Sequence, residues 1–311
     1  MSSKLNSTPS FKLLLRVLPL FSALLLLPVT SMAQDDDDVV RVTTDLVVLN
    51  VTVTNKAGAY VPGLRLVDFK VYEDGKEIPG KLISSFSVQE APFASVVLLD
   101  TSGSMETKLS LGRSAAIRFL DGLRPEDVAA VYRFDSKVEQ LQPFSGGRDL
   151  APMAFGIRAK GMTTLYDAII EGAKSLAERE EARKAIVILS DGMDTFSKAS
   201  SEKALEAALT VGANIYAVDM SAPMGGPRNQ QSAVVLRNFA EKTGGRFVAT
   251  PGGPAMRDAF ASIAEELGHQ YTIAYRPPNQ ARDGKWRALE VKLSREDLVV
   301  RTRKGYRARK G

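Results

Sequence analysis

Ala94-Ser95-Val96-Val97-Leu98-Leu99-Asp100-Thr101-Ser102-Gly103-Ser104 is the stretch that decides how this chain is read. The run from Ala94 to Leu99 is short, continuous and apolar, the pattern of a parallel strand buried on both faces. An acid and two serines follow at once, and open α/β sheets place their ligands just beyond the carboxyl ends of strands. Asp and Ser carry hard oxygens, and a tight turn at Gly103 lets Asp100, Ser102 and Ser104 converge on one cation. Asp100 taken alone is also a good helix N-cap, so the loop by itself leaves both readings open.

Around this stretch, residues 93–268 alternate between strand and helix patterns. Strands are expected at Ala94–Leu99, Val128–Phe134, Val138–Phe144, Ala185–Leu189, Ile215–Val218 and Arg246–Val248. Helical periodicity covers Leu109–Leu123, Leu165–Ala182, Glu202–Val211, Ala233–Thr243 and Ala255–Leu267. Only Asp135-Ser136-Lys137 separates the second strand from the third, room for a hairpin and not for a crossover helix. The fold class is therefore α/β, a doubly wound, mostly parallel sheet with one antiparallel edge strand.

The flanks are β-rich. In residues 39–92, Leu49, Val51 and Val53 alternate with Asn50, Thr52 and Thr54, which predicts one buried face and one wet face. Residues 269–311 hold strand patterns at Gln270–Tyr275, Trp286–Leu293 and Leu298–Thr302. Neither flank is large enough for a core of its own, so the two are expected to form one β-sandwich with the α/β domain inserted between them. The basic end of the chain (Arg301, Arg303, Lys304, Arg307, Arg309, Lys310) reads as a solvated, frayed tail.

Two further segments are expected to meet the first loop. Gly161-Met162-Thr163-Thr164 precedes a helix starting near Leu165, with a threonine placed to cap it. Ser190-Asp191-Gly192 ends its strand as Asp100 ends its own. Asp194 and Asp135 sit in loops and read as solvated.

These segments resemble the metal-ion-dependent adhesion site of von Willebrand factor type A (VWA) domains, an Asp-x-Ser-x-Ser loop, a loop threonine before a helix and an Asp-Gly after a later strand. The matching positions are Asp100, Ser102, Ser104, Thr163 and Asp191. Met162 stands where the family often has a second glycine, and Thr164 is the neighbouring alternative to Thr163. Val61-Pro62-Gly63-Leu64, Asp68 to Gly75, Gly244 to Phe247 and Tyr271 to Pro277 resemble a secreted bacterial branch first described in acidobacteria. The resemblance implies one Mg²⁺ (or Mn²⁺), held by neutral hydroxyls that leave its charge unquenched. It also implies a protein or peptide partner that supplies an acidic side chain as the last ligand.

Composition bounds the alternatives. With 44% hydrophobic and 25% charged residues over 311 positions, the chain is globular and long enough for two domains. The formal charge is +5, but residues 1–33 contribute Lys4, Lys12 and Arg16 and no acid, leaving +2 for the rest, too little for a nucleic-acid footprint. Residues 1–33 have the plan of a signal peptide, with a basic start, an apolar run from Val17 to Val29, and Ser31-Met32-Ala33 as the cleavage pattern. Retention as an uncleaved anchor is the alternative. Residues 34–38 form an acidic spacer. Export to the periplasm, cell surface or medium of a bacterium follows, with no membrane span after cleavage. There is no cysteine and His269 is the single histidine. No zinc set and no Ser-His pair can be assembled, and His269 reads as a surface or strand-edge residue.

Catalytic readings find little support. A haloacid-dehalogenase phosphatase needs a second carboxylate where Ser102 stands. Gly156-Ile157-Arg158-Ala159-Lys160-Gly161 has P-loop glycine spacing, but Met162 occupies the phosphate-binding lysine's position. No turnover is expected. The reading is an exported, metal-dependent binding module; a structural envelope protein whose metal only stabilises the fold and a metal-dependent hydrolase are the alternatives.

Overall fold

The computed structural model describes residues 46–88, 91–146, 156–220, 230–249 and 254–311. The signal-peptide and acidic-spacer readings lie outside them. In chain order the elements are β1 (Val47–Asn55), β2 (Phe69–Glu73), β3 (Lys76–Glu77), β4 (Ile83–Ser87), β5 (Phe93–Asp100), α1 (Leu109–Asp121), β6 (Val128–Phe134), β7 (Val138–Ser145), α2 (Leu165–Ala177), β8 (Arg183–Ser190), α3 (Ser201–Thr210), β9 (Ala213–Asp219), α4 (Gln230–Thr243), β10 (Phe247–Ala249), α5 (Pro254–Gly268), β11 (Tyr271–Tyr275), β12 (Trp286–Leu293), β13 (Leu298–Arg301) and β14 (Gly305–Arg307).

β5 carries the logic of the α/β unit. All of its residues are buried. Strand alternation sends Phe93, Val97 and Leu99 to one face, where they meet Phe119 of α1 and Phe260 of α5. Ala94, Val96 and Leu98 go to the other, against Ile169 of α2, Ala208 of α3 and Phe239 of α4. The six-stranded sheet runs β10-β9-β8-β5-β6-β7. All pairings are parallel except β6 with β7, the hairpin edge expected from the short 135–137 gap. The chain winds one way from β5 through α1 to β6. It then returns past β7 and α2 to β8 on the other side of β5. The topological switch therefore lies between β5 and β8, where a crevice opens at the carboxyl ends. Asp100 and Ser190 are the last residues of those two strands.

Two four-stranded sheets flank this unit, in the orders β13-β1-β11-β4 and β14-β12-β2-β3. Each interleaves strands from before and after the α/β domain: β1 lies between β11 and β13, and β12 between β2 and β14. They share one core, which includes Leu49, Val51, Phe69, Val71, Tyr271, Tyr275, Leu289 and Val291.

Two expectations need correction. The polar face of β1 is not wet at Asn50 and Thr52, both of which are buried. Asn50 Nδ2 donates to Asn214 Oδ1 (3.4 Å), and Thr52 Oγ1 to Glu266 Oε1 (3.2 Å), so this face is the seam with the α/β domain. The basic end is not frayed at Arg301, Arg303 and Gly305–Arg307. β14 pairs with β12, Arg303 is buried with its guanidinium on the Leu209 carbonyl (3.3 Å), and Arg301 bonds the Gly245 carbonyl (2.6 Å). Gly245 itself lies close against β9, where a Cβ would run into the Ile215 carbonyl. Charge and terminal position suggested solvent; bonding to buried carbonyls prevails.

Candidate metal centre

Three loops interlock over the β5–β8 crevice. After β5, Thr101 is tied down by its N–H and its hydroxyl, both donating to the Phe134 carbonyl (2.8 and 3.1 Å). The chain then makes a single 3-10 turn over Gly103–Met105. The loop before α2 docks on it through Lys160 N–H to the Thr101 carbonyl (2.9 Å) and Gly103 N–H to the Gly161 carbonyl (3.2 Å). Gly161 has φ +79°, and a Cβ there would stand 2.6 Å from Ser136 Oγ, so conformation and space both call for glycine. The loop after β8 joins through Thr195 N–H to the Thr163 carbonyl (3.0 Å), answered by Thr163 N–H to Thr195 Oγ1 (3.0 Å).

Asp100 is 1% exposed, and both of its oxygens are engaged. Oδ1 accepts from Ser102 N–H (2.9 Å) and Oδ2 from the Ser190 hydroxyl (2.6 Å), which itself accepts from Gly192 N–H (2.9 Å). Desolvation pushes its pKa up to about 6; the bonds from Ser102 and Ser190 oppose the rise and the neighbouring Asp191 charge adds to it. Asp100 caps no helix: α1 begins at Leu109, with Lys108 before it. Asp191 is buried, and its Oδ1 accepts from Met193 N–H (3.3 Å).

The two threonines differ. Thr164 immediately precedes α2 but its side chain does not cap the helix; its hydroxyl donates to the Asp135 carbonyl (2.9 Å). The Thr163 hydroxyl makes no hydrogen bond among the described residues. Capping comes from elsewhere. Asp194 Oδ2 accepts from Tyr166 N–H (3.0 Å), and Ser197 Oγ from Tyr166 and Asp167 N–H (3.1 Å each). Asp194, expected to be solvated, thus caps α2 from a remote loop. Asp135 is also not solvated: it is buried, pairs with Arg133 (3.3 Å) and accepts from Lys137 N–H (3.2 Å). The bond from α2 to Asp194 has no local sequence signature, whereas the bonds of Asp135 join it to residues two positions away on either side. His269 stacks on Tyr60, ring centroids 5.0 Å apart, away from this centre.

Among the described residues no three His, Cys, Asp or Glu side chains cluster, so a cation beside Asp100 and Asp191 would draw its remaining ligands from hydroxyls, backbone carbonyls or water. The donor set fits that demand. Ser102 Oγ and Ser104 Oγ share a hydrogen bond at 3.1 Å, and two neighbouring ligands of an octahedral Mg²⁺ at ~2.1 Å would stand about 3.0 Å apart, so the pair could turn to an ion without moving apart. Ser104 is exposed while Ser102 and Asp100 are buried, so the cluster faces outward along one side.

Residues 95–193 match the family model of the von Willebrand factor type A domain. That segment is similar to von Willebrand factor type A domains. Asp100, Ser102, Ser104, Thr163 and Asp191 fall within the matched segment, while Thr195, α3 to α5 and the flanking sheets lie outside it. No curated protein matches the chain. Solved structures similar to the chain include a von Willebrand factor type A protein from Catenulispora acidiphila (14% identity, 84% of this chain and 73% of that one, TM-score 0.49). Another is the conserved hypothetical protein BatB of Bacteroides thetaiotaomicron (17%, 56% and 98%, TM-score 0.46). A third is the pilus adhesin SpaC of Lactobacillus rhamnosus GG (10%, 82% and 49%, TM-score 0.48).

Two further polar side chains stand at this end of the sheet that the sequence reading did not assign to the centre. Ser190 holds Asp100. Asp219 is fully buried at the end of β9, in register with Ser190. The available signal was the same for both: each closes a β-strand, as Asp100 does.

Proposed function

We propose that the chain is an exported, Mg²⁺-dependent binding module. Asp100, Ser102, Ser104, Thr163 and Asp191 would hold the ion, and a partner protein or peptide would offer it an acidic side chain. The observation that carries this reading is the Ser102–Ser104 hydroxyl pair, 3.1 Å apart beside buried Asp100. The unpartnered Thr163 hydroxyl and the buried Asp191 support it. When bound, the ion supplies a Lewis-acidic position for a carboxylate.

The residues of the chain prepare that position. Ser190 fixes one oxygen of Asp100 and the Ser102 amide fixes the other, so the carboxylate is oriented without a metal. Gly161 brings the Thr163 loop against the first loop. The three hydroxyls are neutral, so the dication keeps charge to share wherever Asp100 and Asp191 act on it through water. Export rests on the basic start, the short apolar core and Ser31-Met32-Ala33. No helix among the described residues is long and apolar enough to cross a membrane. Turnover is no part of this reading.

The test is capture of partners from envelope extract with Mg²⁺ and with chelator. Partner retention that chelator abolishes, while the circular dichroism of the chain is unchanged, is the expected result. Retention indifferent to chelator and to Asp191→Ala overturns the reading.

A further inference from the structure

A cleft of about 650 Å³ adjoins the metal loops, lined in part by Arg133, Glu139, Leu141, Ile157, Arg158 and Lys160. Its charges are not balanced. Glu139 is held between Arg133 and Lys137, and Arg133 also pairs with Asp135 (3.3 Å). Arg158 and Lys160 are exposed and make no ion pair or side-chain hydrogen bond among the described residues. The wall satisfies its own acids and leaves two cations over.

Those cations are rigidly presented. Burial alternates along the segment: Ile157 is buried in the core under α1 and Ala159 packs against that core, while Arg158 and Lys160 point outward together. The next bonds along the chain are those from Lys160 N–H to Thr101 and from Gly103 to the Gly161 carbonyl, so the segment is stitched to the Asp100 loop. Lys160 precedes Thr163 by three residues, a span of at most about 10 Å. Charge next to a metal that binds a carboxylate has an obvious complement, a second carboxylate on the same ligand.

We propose that Arg158 and Lys160 form an anion subsite beside the metal centre, so that the chain selects peptides carrying two acidic side chains over peptides carrying one. The inference rests on the metal-binding reading above. In an extended peptide, side chains two to four residues apart are separated by roughly 7–13 Å. One acid then reaches the ion while the other reaches the cleft. The pair selects by charge and leaves coordination to the metal loops.

The test uses Gly/Ser octapeptides with one Asp, with two Asp separated by one, two or three residues, and with Asp and Lys at the same spacings. Affinity is read by fluorescence anisotropy with Mg²⁺ and with chelator. At low salt the best two-Asp peptide should bind the wild type about tenfold more tightly than the one-Asp peptide, an advantage that shrinks in high salt. Arg158→Ala/Lys160→Ala should erase the advantage, and Arg158→Glu/Lys160→Glu should turn preference toward the Asp–Lys peptide. Both variants should keep the wild-type Mg²⁺ shift in melting temperature, which shows an intact centre. If the one-Asp peptide binds with Mg²⁺ but the second Asp adds nothing, or the gain survives the alanine variant, the subsite is wrong and the metal reading stands. If no peptide binds in a Mg²⁺-dependent way, both are overturned.

Discussion

The Ser190 hydroxyl donates to Asp100 Oδ2 at 2.6 Å, across the boundary between two strands that sequence places ninety residues apart. Ser190 Oγ in turn accepts from Gly192 N–H at 2.9 Å. One hydroxyl thus orients the buried carboxylate and shapes the turn that carries Asp191. Ser190→Ala leaves a buried acceptor and a buried donor without partners, at an expected cost of about 1–3 kcal/mol. Mg²⁺ affinity should fall on the order of tenfold, as when other ligand-orienting groups are removed. Calorimetric Mg²⁺ titration and urea unfolding measure the two effects. Unchanged affinity in a folded variant rules out an orienting role for Ser190.

Burial makes the metal-free centre a pH sensor with a definite sign. Asp100 has its pKa raised from 3.8 to about 6 in the folded state. The folded chain therefore holds the proton more firmly than the unfolded chain. Its contribution to stability is full below about pH 4 and is lost as pH rises through about 6. Metal binding has the opposite dependence, because the ion must displace that proton. Without Mg²⁺ the wild type should lose stability between pH 4 and 6 relative to Asp100→Asn, whose amide does not titrate. With Mg²⁺ the melting shift should be large at pH 7 and small at pH 5. A shift of equal size at both pH values contradicts the assignment of Asp100.

The two threonines can be separated by substitution. Thr163→Ala removes a hydroxyl that makes no hydrogen bond among the described residues, so the metal-free fold should change little while Mg²⁺ binding weakens. Thr164→Ala removes a bond to the Asp135 carbonyl (2.9 Å) and should cost about 1 kcal/mol of stability with Mg²⁺ binding nearly intact. Melting curves for both variants, with the ion and with chelator, decide the matter. The reverse pattern makes Thr164 the ligand.

Truncation tests the interleaved sheets. Ending the chain after Leu267 deletes β11 to β14. β1 and β4 are then left without a neighbour, because β11 lies between them, and β2 keeps only the two-residue β3. Leu49, Val51 and Val71 would face water. Residues 39–267 are expected to be insoluble or to unfold well below the full chain on heating. A soluble truncation with the same melting temperature disproves the dependence.

What the sequence displayed, and what it concealed, follows from the range of the interactions. Continuous apolar runs such as Val96 to Leu99 and the short 135–137 gap are local, and they led to a doubly wound sheet with an antiparallel edge. The cluster of Asp100, Ser102 and Ser104 was legible because its spacing is local as well. The capping of α2 by Asp194 and Ser197 was not, because those residues stand some thirty positions downstream of the amides they accept from. Asn50 and Thr52 misled for a related reason. Alternation reports which residues share a face, and it cannot tell a face turned to water from one turned to a polar seam. Arg303 shows the same blindness at the end of the chain: a basic tail looks solvated until a buried carbonyl such as that of Leu209 is found to receive it.

The seam itself makes the strongest stability prediction. Glu266 of α5 is buried, and its Oε1 accepts from Tyr216 of β9 (2.8 Å), Thr52 of β1 (3.2 Å) and the Arg301 guanidinium of β13. Its Oε2 faces Arg246 (3.4 Å). Burial and the Glu266 charge together drive the Tyr216 hydroxyl well above its ordinary pKa, which keeps it a donor. One carboxylate thus ties both flanking strands to the α/β unit. Glu266→Ala strands a guanidinium and two hydroxyls and should cost about 3–5 kcal/mol, the usual result of breaking a buried pair from one side. Glu266→Gln keeps an acceptor oxygen and should cost less. Glu266→Met with Arg301→Met should cost less than Glu266→Ala, because the unpaired charge goes with its partner. Asn214 and Arg183, at the starts of β9 and β8, place this seam at the amino ends of the sheet, opposite the metal loops. The Mg²⁺ shift in melting temperature should therefore survive in every one of these variants that folds. Urea unfolding of the variants, each with Mg²⁺ and with chelator, measures both quantities at once. A loss under about 1 kcal/mol for Glu266→Ala would mean that apolar packing, and not this carboxylate, holds the two parts together.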